Sequence, residues 1–243
     1  MDKVEFRFKL GWTYGNGAGC TEALIGMYVT TGVSASERWI CTKGCPTIIT
    51  LSNTSYICTG ASRSENWEQG EYTFKHQFTG KGPFTIGFSG GNWMNLDYGS
   101  ATSWNVETVV DLRTRNDTKK INSSPISGSR PMYRGNTPHC SRLQYGCNNT
   151  LTLPMTDADG DIVKCRWSSG TECASVCNGL PNAVLDTDTC TLIFHSTSAN
   201  QYTSNGWYAV ALTVEDYPRS AISIGGATVL QTTPLSSVPI QVM

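Results

Sequence analysis

The residues in this chain best suited to chemistry are acidic. Asp157-Ala-Asp159-Gly-Asp161 sets three carboxylates at alternate positions around a glycine, and Glu215-Asp216 closes a later apolar run. Crowded carboxylates repel one another unless a cation neutralises them, and calcium takes about six to eight oxygen ligands. Calcium held by Asp157, Asp159, Asp161, Glu215 and Asp216 is therefore one reading. A solvated Asp-Gly hairpin turn is the other, and it is the one favoured here. An EF-hand is excluded, because Ser168 stands where its loop needs a bidentate glutamate.

Two weaker constellations follow. Trp93, Met94, Tyr98 and Trp104 surround Asn92, Asn95 and Asp97. Aromatic faces beside amides and carboxylates can hold a sugar, so Asn92, Trp93, Asn95 and Asp97 form a candidate carbohydrate contact; aromatic core packing near a loop is the competing reading. Gly87-Phe-Ser89-Gly-Gly91 fits the pattern of a hydrolase nucleophile elbow, which needs a helix after the serine. Asn92–Ser100 carries no helical face, so Ser89 is expected in a tight Gly-rich turn. No other catalytic motif is readable, and the chain is expected not to be an enzyme.

Ten cysteines (20, 41, 45, 58, 140, 147, 165, 173, 177 and 190) divide into groups of four and six, with none between 59 and 139. The spacings Cys41-x3-Cys45 and Cys173-x3-Cys177 would also suit zinc knuckles. Four N-x-Ser/Thr sequons, at Asn53, Asn116, Asn122 and Asn148, favour disulfides and glycosylation in an extracellular setting instead. Each group is expected to pair within itself, with Cys140–Cys147 as one short-loop bridge.

The elements that must position these groups are strands. Charged residues are 15% of 243, net charge is −1, and the 54 serines and threonines supply a hydroxyl-rich surface. That balance excludes a polybasic nucleic-acid binder, and no apolar run is long enough to span a bilayer. Apart from the short helical candidate Thr21–Tyr28, the chain reads as short β-runs divided by Gly, Asn, Asp, Ser and Pro. Val4, Phe6, Phe8 and Leu10 alternate with charges; Thr47–Leu51, Glu71–Phe78, Pro83–Phe88 and Val106–Leu112 follow. The fold class is all-β: two tandem, disulfide-stapled β-sandwich domains, 1–117 and 140–243, joined by a basic Ser/Gly/Pro linker over 118–139. The wider stretch Arg113–Arg134 is expected to be solvated. Both chain ends look cut from a longer ectodomain.

Residues 148–243 thread as successive strands: Leu151–Thr156, Ile162–Trp167, Cys190–His195, Gly206–Asp216 and Ser236–Val242. The pair Asp157-Ala-Asp-Gly-Asp…Cys-Arg-Trp167 and Gly206-Trp-Tyr-Ala-Val-Ala-Leu-Thr-Val-Glu-Asp216 resembles polycystic-kidney-disease and cadherin-like (Ig-like) β-sandwich repeats, in which an Asp-rich turn precedes a Trp-bearing strand. Both halves together resemble secreted or cell-surface multidomain ectodomains of invertebrates. By period two, Val163, Cys165 and Trp167, then Cys190, Leu192 and Phe194, then Tyr208, Val210, Leu212 and Val214 each share a face, and these faces should form one core. The loops before the third strand and after the sixth then lie at one end, beside the basic segment. There the carboxylates meet either calcium or linker Arg and Lys side chains.

The expected function is an extracellular adhesion, recognition or structural-assembly module of a larger glycoprotein. Its partners would be other extracellular proteins, neighbouring modules or a second copy. A lectin-like module that binds glycan through the Trp93 cluster is the alternative.

Overall fold

The computed structural model describes residues 3–33, 37–91, 95–100, 102–127 and 143–242. The described residues are all-β, with a few single-turn helices. In the N-terminal half the strands are β1 (Lys3–Trp12), β2 (Tyr28–Val29), β3 (Arg38–Lys43), β4 (Ile49–Asn53), β5 (Tyr56–Ser62), β6 (Trp67–Gln77), β7 (Phe84–Gly90) and β8 (Trp104–Val110). Next comes β9 (Ile126–Ser127). The C-terminal half carries β10 (Asn148–Thr152), β11 (Met155–Thr156), β12 (Ile162–Trp167), β13 (Val184–Asp186), β14 (Thr191–His195), β15 (Val210–Tyr217), β16 (Ile222–Ile224), β17 (Ala227–Val229) and β18 (Ser236–Val242).

The period-two pattern explains β1: Phe8 and Leu10 are buried while Arg7 and Lys9 are exposed. β1 pairs along its length with β6, in the sheet β1-β6-β5-β2. That sheet faces β8-β7-β3-β4 across an aromatic core of Phe8, Tyr56 and Phe74, with Trp12, Trp39 and Trp104 against it. A second cluster, Phe78, Phe84, Ile86 and Leu112, extends this core. Each large apolar side chain buried there contributes about 1.5–3 kcal/mol. The helical candidate Thr21–Tyr28 is only one 3-10 turn, Glu22–Leu24, and Gly26 follows it at φ +89°.

In the C-terminal half, β10-β14-β13 faces β12-β15-β18. The core between them holds Cys165, Cys190, Leu192, Phe194, Val210, Leu212 and Val214, with Val163, Trp167 and Tyr208 packed against it. These are the residues the strand threading places inside. The Tyr208 hydroxyl accepts the Thr203 N–H at 2.7 Å, closing the corner that leads into β15.

The halves share a sheet. Strands run β12-β15-β18-β8-β7-β3-β4, with Ser237 of β18 opposite Val109 of β8. Side chains reinforce that seam: Thr108 Oγ1 donates to the Ser237 carbonyl (2.6 Å), and Gln241 Nε2 donates to the carbonyls of Asn105 (2.6 Å) and Glu172 (2.8 Å).

Four disulfides form, Cys20–Cys58, Cys41–Cys45, Cys165–Cys190 and Cys173–Cys177, each within its own half. The first and third close loops of 38 and 25 residues and so restrict the unfolded chain far more than the two four-residue loops. Cys147 has no disulfide partner among the described residues, and Cys140 lies outside them. Ser89 does not sit in a turn, as its glycine neighbours suggested. It is an exposed residue inside β7, paired with Asn105, because the strand extends to Gly90 before the chain leaves the sheet.

Candidate functional site

The acidic turn begins as local chemistry. Asp157 Oδ1 accepts the N–H groups of Asp159 (2.9 Å) and Asp161 (3.0 Å), curling the chain around Gly160 at φ +78°. The turn leads into β12, which pairs with β15, with Ile162 opposite Tyr217 and Val163 opposite Asp216. This register carries Asp216, from 55 residues further on, to the same end of the sheet. One carboxylate oxygen from each of Asp157, Asp161 and Asp216 lies within 4.8 Å of the others.

A cation from the segment between β8 and β9 enters this cluster. Arg115 is buried at 2% exposure despite lying in the stretch expected to be solvated. Its guanidinium grips Asp161 with both Nη atoms, at 2.9 Å for Nη2. It grips Asp117 through Nε (3.0 Å) and Nη2 (2.7 Å) and lies 3.8 Å from Asp159. Asn122 completes the knot, accepting Arg115 Nη1 at 2.5 Å and donating to Asp216 Oδ2 at 2.6 Å. Ser123 gives its N–H and hydroxyl to Asp159, both at 2.7 Å.

The backbone aims Arg115 inward. Its N–H bonds to the Lys120 carbonyl at 2.9 Å, and residues 115 and 116 pair with Ile224 and Ser223. The segment 113–127 is thus packed, and the physical reason is charge: planar, five-donor arginine meets several carboxylates bidentately in a low-dielectric site. Lys119 and Lys120 stay exposed. Arg130 and Arg134 lie outside the described residues.

Glu215 departs from expectation. Consecutive strand residues point to opposite faces, so Glu215 and Asp216 cannot share a site. Glu215 instead accepts Arg166 Nε (2.9 Å) and the Tyr217 hydroxyl (2.7 Å), and Arg166 also holds Glu172 through two 2.7 Å bonds. Four of the five expected carboxylates converge, and Asp117 joins them unforeseen.

Arg115 pairs with three carboxylates, Asp117, Asp159 and Asp161, while Asp157 and Asp216 lie beside them without a cation, so negative charge is in excess. Burial, with the Asp157 charge adding to it, pushes the Asp216 carboxyl above the usual range even though Asn122 and Ser236 donate to it. Burial also raises Asp157, with the charges of Asp161 and Asp159 adding to it. The Arg115 hydrogen bonds hold Asp117 at about 2. Asp157 Oδ2 is shielded from solvent and has no hydrogen-bond partner among the described residues. The cluster can accept one more proton or one more donor. The calcium ligand set suggested by sequence reduces to Asp157, Asp161 and Asp216, with Asp159 turned to Ser123 and Arg115.

The expected sugar contact falls only partly within the described residues. Asn92 and Trp93 lie outside the described residues, and Asn95 is exposed. Asp97 is taken up with backbone: its carboxylate accepts the Trp207 N–H (2.8 Å) and the Thr203 hydroxyl (3.3 Å).

Of the sequons, Asn116 and Asn148 are exposed. Asn53 accepts the Ser55 N–H at 3.1 Å. Asn122 Nδ2, the atom a glycan would occupy, is the atom that donates to Asp216.

A buried glutamate escaped the sequence reading. Glu68 is fully buried and accepts the Tyr56 hydroxyl (2.8 Å) and the N–H groups of Gly15 (2.9 Å), Gly19 (3.2 Å) and Cys20 (3.3 Å). Only the glycine-rich run Gly15–Gly19 hinted at it, by offering backbone N–H groups without side chains to obstruct them.

Residues 1–113 match the family model described as integrin beta-like protein A-E, N-terminal. No curated protein and no solved structure matches the chain. The family match and the four disulfides together suggest an extracellular setting. Among the described residues, no helix is long and apolar enough to cross a membrane.

Proposed function

We propose that this chain is a non-catalytic extracellular adhesion module, in which two sandwiches act as one stiff body that presents the N-terminal half to partners. The match of residues 1–113 to the integrin beta-like family carries the adhesion reading. The continuous seven-stranded sheet and the Arg115 knot support the stiffness, because both cross from one half to the other. Force applied to an adhesion module must pass through such a junction without opening it. Partners are other extracellular proteins or a second copy of the chain. Ser89, paired inside β7, supports a non-catalytic reading.

The resemblance of residues 148–243 to cadherin-like repeats belongs to this reading, since in such repeats an acidic cluster stiffens a junction. Here an internal guanidinium takes much of a metal ion's place. A calcium ion beside it is the second reading, and the unpartnered Asp157 Oδ2 is the observation that favours it.

Attachment of cells to surfaces coated with the intact chain tests the proposal. Attachment that resists shear and is blocked by soluble chain is expected. Attachment no better than to an inert protein coat would contradict it.

A further inference from the structure

Where the loop 95–100 meets the turn after the Cys173–Cys177 bridge, the surface sinks into a cleft of about 210 Å³. Tyr98 and Trp167 line it with Asn178, Leu180, Pro181, Asn182 and Ala183. No ionised side chain is among them. We propose that this cleft binds one neutral saccharide unit.

Three observations support that assignment. The first is composition. Aromatic rings offer faces on which the C–H side of a sugar ring packs, and primary amides offer paired donors and acceptors for vicinal hydroxyls. Asn178 and Asn182 are exposed and occupy left-handed backbone, at φ +61° and +50°, where asparagine is tolerated. Asn182 commits only its Nδ2, to the Asn200 carbonyl at 3.3 Å, and so keeps its oxygen for a ligand. Asn178 makes no hydrogen bond to another described side chain or backbone group.

The second is size. The volume falls below the roughly 300–1,000 Å³ of sites for drug-sized ligands, so one ring fits and an extended oligosaccharide or peptide would lie mostly outside.

The third is preorganisation, which lowers the entropy lost when a weakly held ligand binds. Both walls are fixed by bonds that a ligand would not have to form. Asp97 anchors the Tyr98 wall through its N–H to the Trp207 carbonyl (2.9 Å) and its carboxylate to Trp207 and Thr203. On the other wall, the Tyr202 hydroxyl donates to the Pro181 carbonyl at 2.7 Å. The walls come into contact at Gly99, where a Cβ would stand at an ordinary contact distance, 3.6 Å, from Gly179 Cα. Asp97, read from sequence as a sugar ligand, is a positioning residue for the neighbouring tyrosine.

The inference goes beyond the adhesion reading and does not depend on it, since a module can adhere through protein contacts alone. The test applies the intact chain to an array of neutral glycans ending in hexoses or N-acetylhexosamines. Soluble neutral polysaccharide and glycoprotein-derived glycans are then titrated in separate arms, which distinguishes the two sources of the sugar. Asn178→Ala and Tyr98→Ala, each checked for an unchanged circular-dichroism melt, are expected to weaken binding at least tenfold. Because Trp167 also packs on the core, its ligand-dependent fluorescence is read in the unmodified chain rather than by substitution. No binding to any array member, or binding unchanged in both variants, would overturn the proposal. Selection of a peptide in place of a glycan at these residues would overturn it as well.

Discussion

Glu68 and the Asp157–Asp161 turn face the same problem, a carboxylate removed from water, and solve it differently. Glu68 is surrounded by neutral donors from its own half: three loop N–H groups and one phenol. The acidic turn is answered by Arg115, Asn122 and Ser123, which arrive from the segment between the halves. A locally cradled charge stabilises the unit that supplies its donors. A charge answered from afar ties two units together. The N-terminal carboxylate is therefore a device of folding, and the C-terminal cluster one of assembly.

The comparison is broken most severely at Arg115. Replacing it with Met leaves buried Asp161 and partly buried Asp159 without their cation, and removing one partner of a buried ion pair destabilises by about 3–5 kcal/mol. Urea denaturation of Arg115→Met should show a loss of that size. A change below about 1 kcal/mol, the scale of an exposed pair, would remove the knot from the account.

Glu68→Gln should cost less, about 1–3 kcal/mol, because one oxygen remains while one acceptor becomes a donor facing N–H groups. The loss should fall on the N-terminal half and leave the Arg115 network intact. Chemical shifts of C-terminal amides report this directly, and their widespread movement would contradict the local reading.

Asp157→Asn sharpens the contrast, because it is expected to stabilise. Asp157 Oδ1 keeps its two N–H donors, while an amide in place of Oδ2 gives the crowded oxygens of Asp161 and Asp216 a donor, a gain of about 1 kcal/mol. The pH dependence follows from the raised carboxyls. With a folded pKa above the ordinary 3.8, Asp157 and Asp216 bind protons more tightly folded than unfolded. Their contribution is greatest at low pH and declines as pH rises from about 4 through the raised values. Asp117 works oppositely: its contribution is present above 3.8 and is lost as pH falls through about 2. Melting temperature against pH should decline less steeply above pH 4 in Asp157→Asn than in the unmodified chain. If calcium is the missing partner, millimolar calcium will raise the unmodified chain's melting temperature and this variant will abolish the rise.

The smallest effect concerns glycans. A glycan on Asn122 would replace one Nδ2 hydrogen and crowd its bulk against Asp216, to which that nitrogen donates at 2.6 Å. Glycopeptide mapping of secreted, folded chain should find Asn122 bare and exposed Asn116 and Asn148 open to modification. A fully occupied Asn122 would contradict the network.

How much of this was legible follows from where the partners lie. Asp157 and Asp216 could be brought together from sequence because alternation in Ile162–Trp167 and Val210–Tyr217 fixed both strands, and adjacent antiparallel strands set the register. The error over Glu215 was avoidable, since its neighbour Asp216 occupies the opposite face by parity alone. Arg115 was not legible: its local run is mostly basic and polar, only Asp117 among its carboxylates is near in sequence, and buried Asp161 lies 46 residues away. Glu68 was hidden similarly, its three N–H partners lying in a loop 48 to 53 residues earlier. Patterns of period two reveal faces, but neither residue's burial is written in its neighbours.

The central claim is that the knot joins the two halves of the chain into one cooperative body, and native-state hydrogen exchange measures it most directly. In the unmodified chain, the slowest amides of β6 and of β15 should open with the same free energy and the same denaturant dependence. In Arg115→Met the two sets should separate, β15 exchanging first. Opening free energies that already differ between β6 and β15 by more than about 2 kcal/mol in the unmodified chain, or that stay equal in Arg115→Met, would contradict the claim.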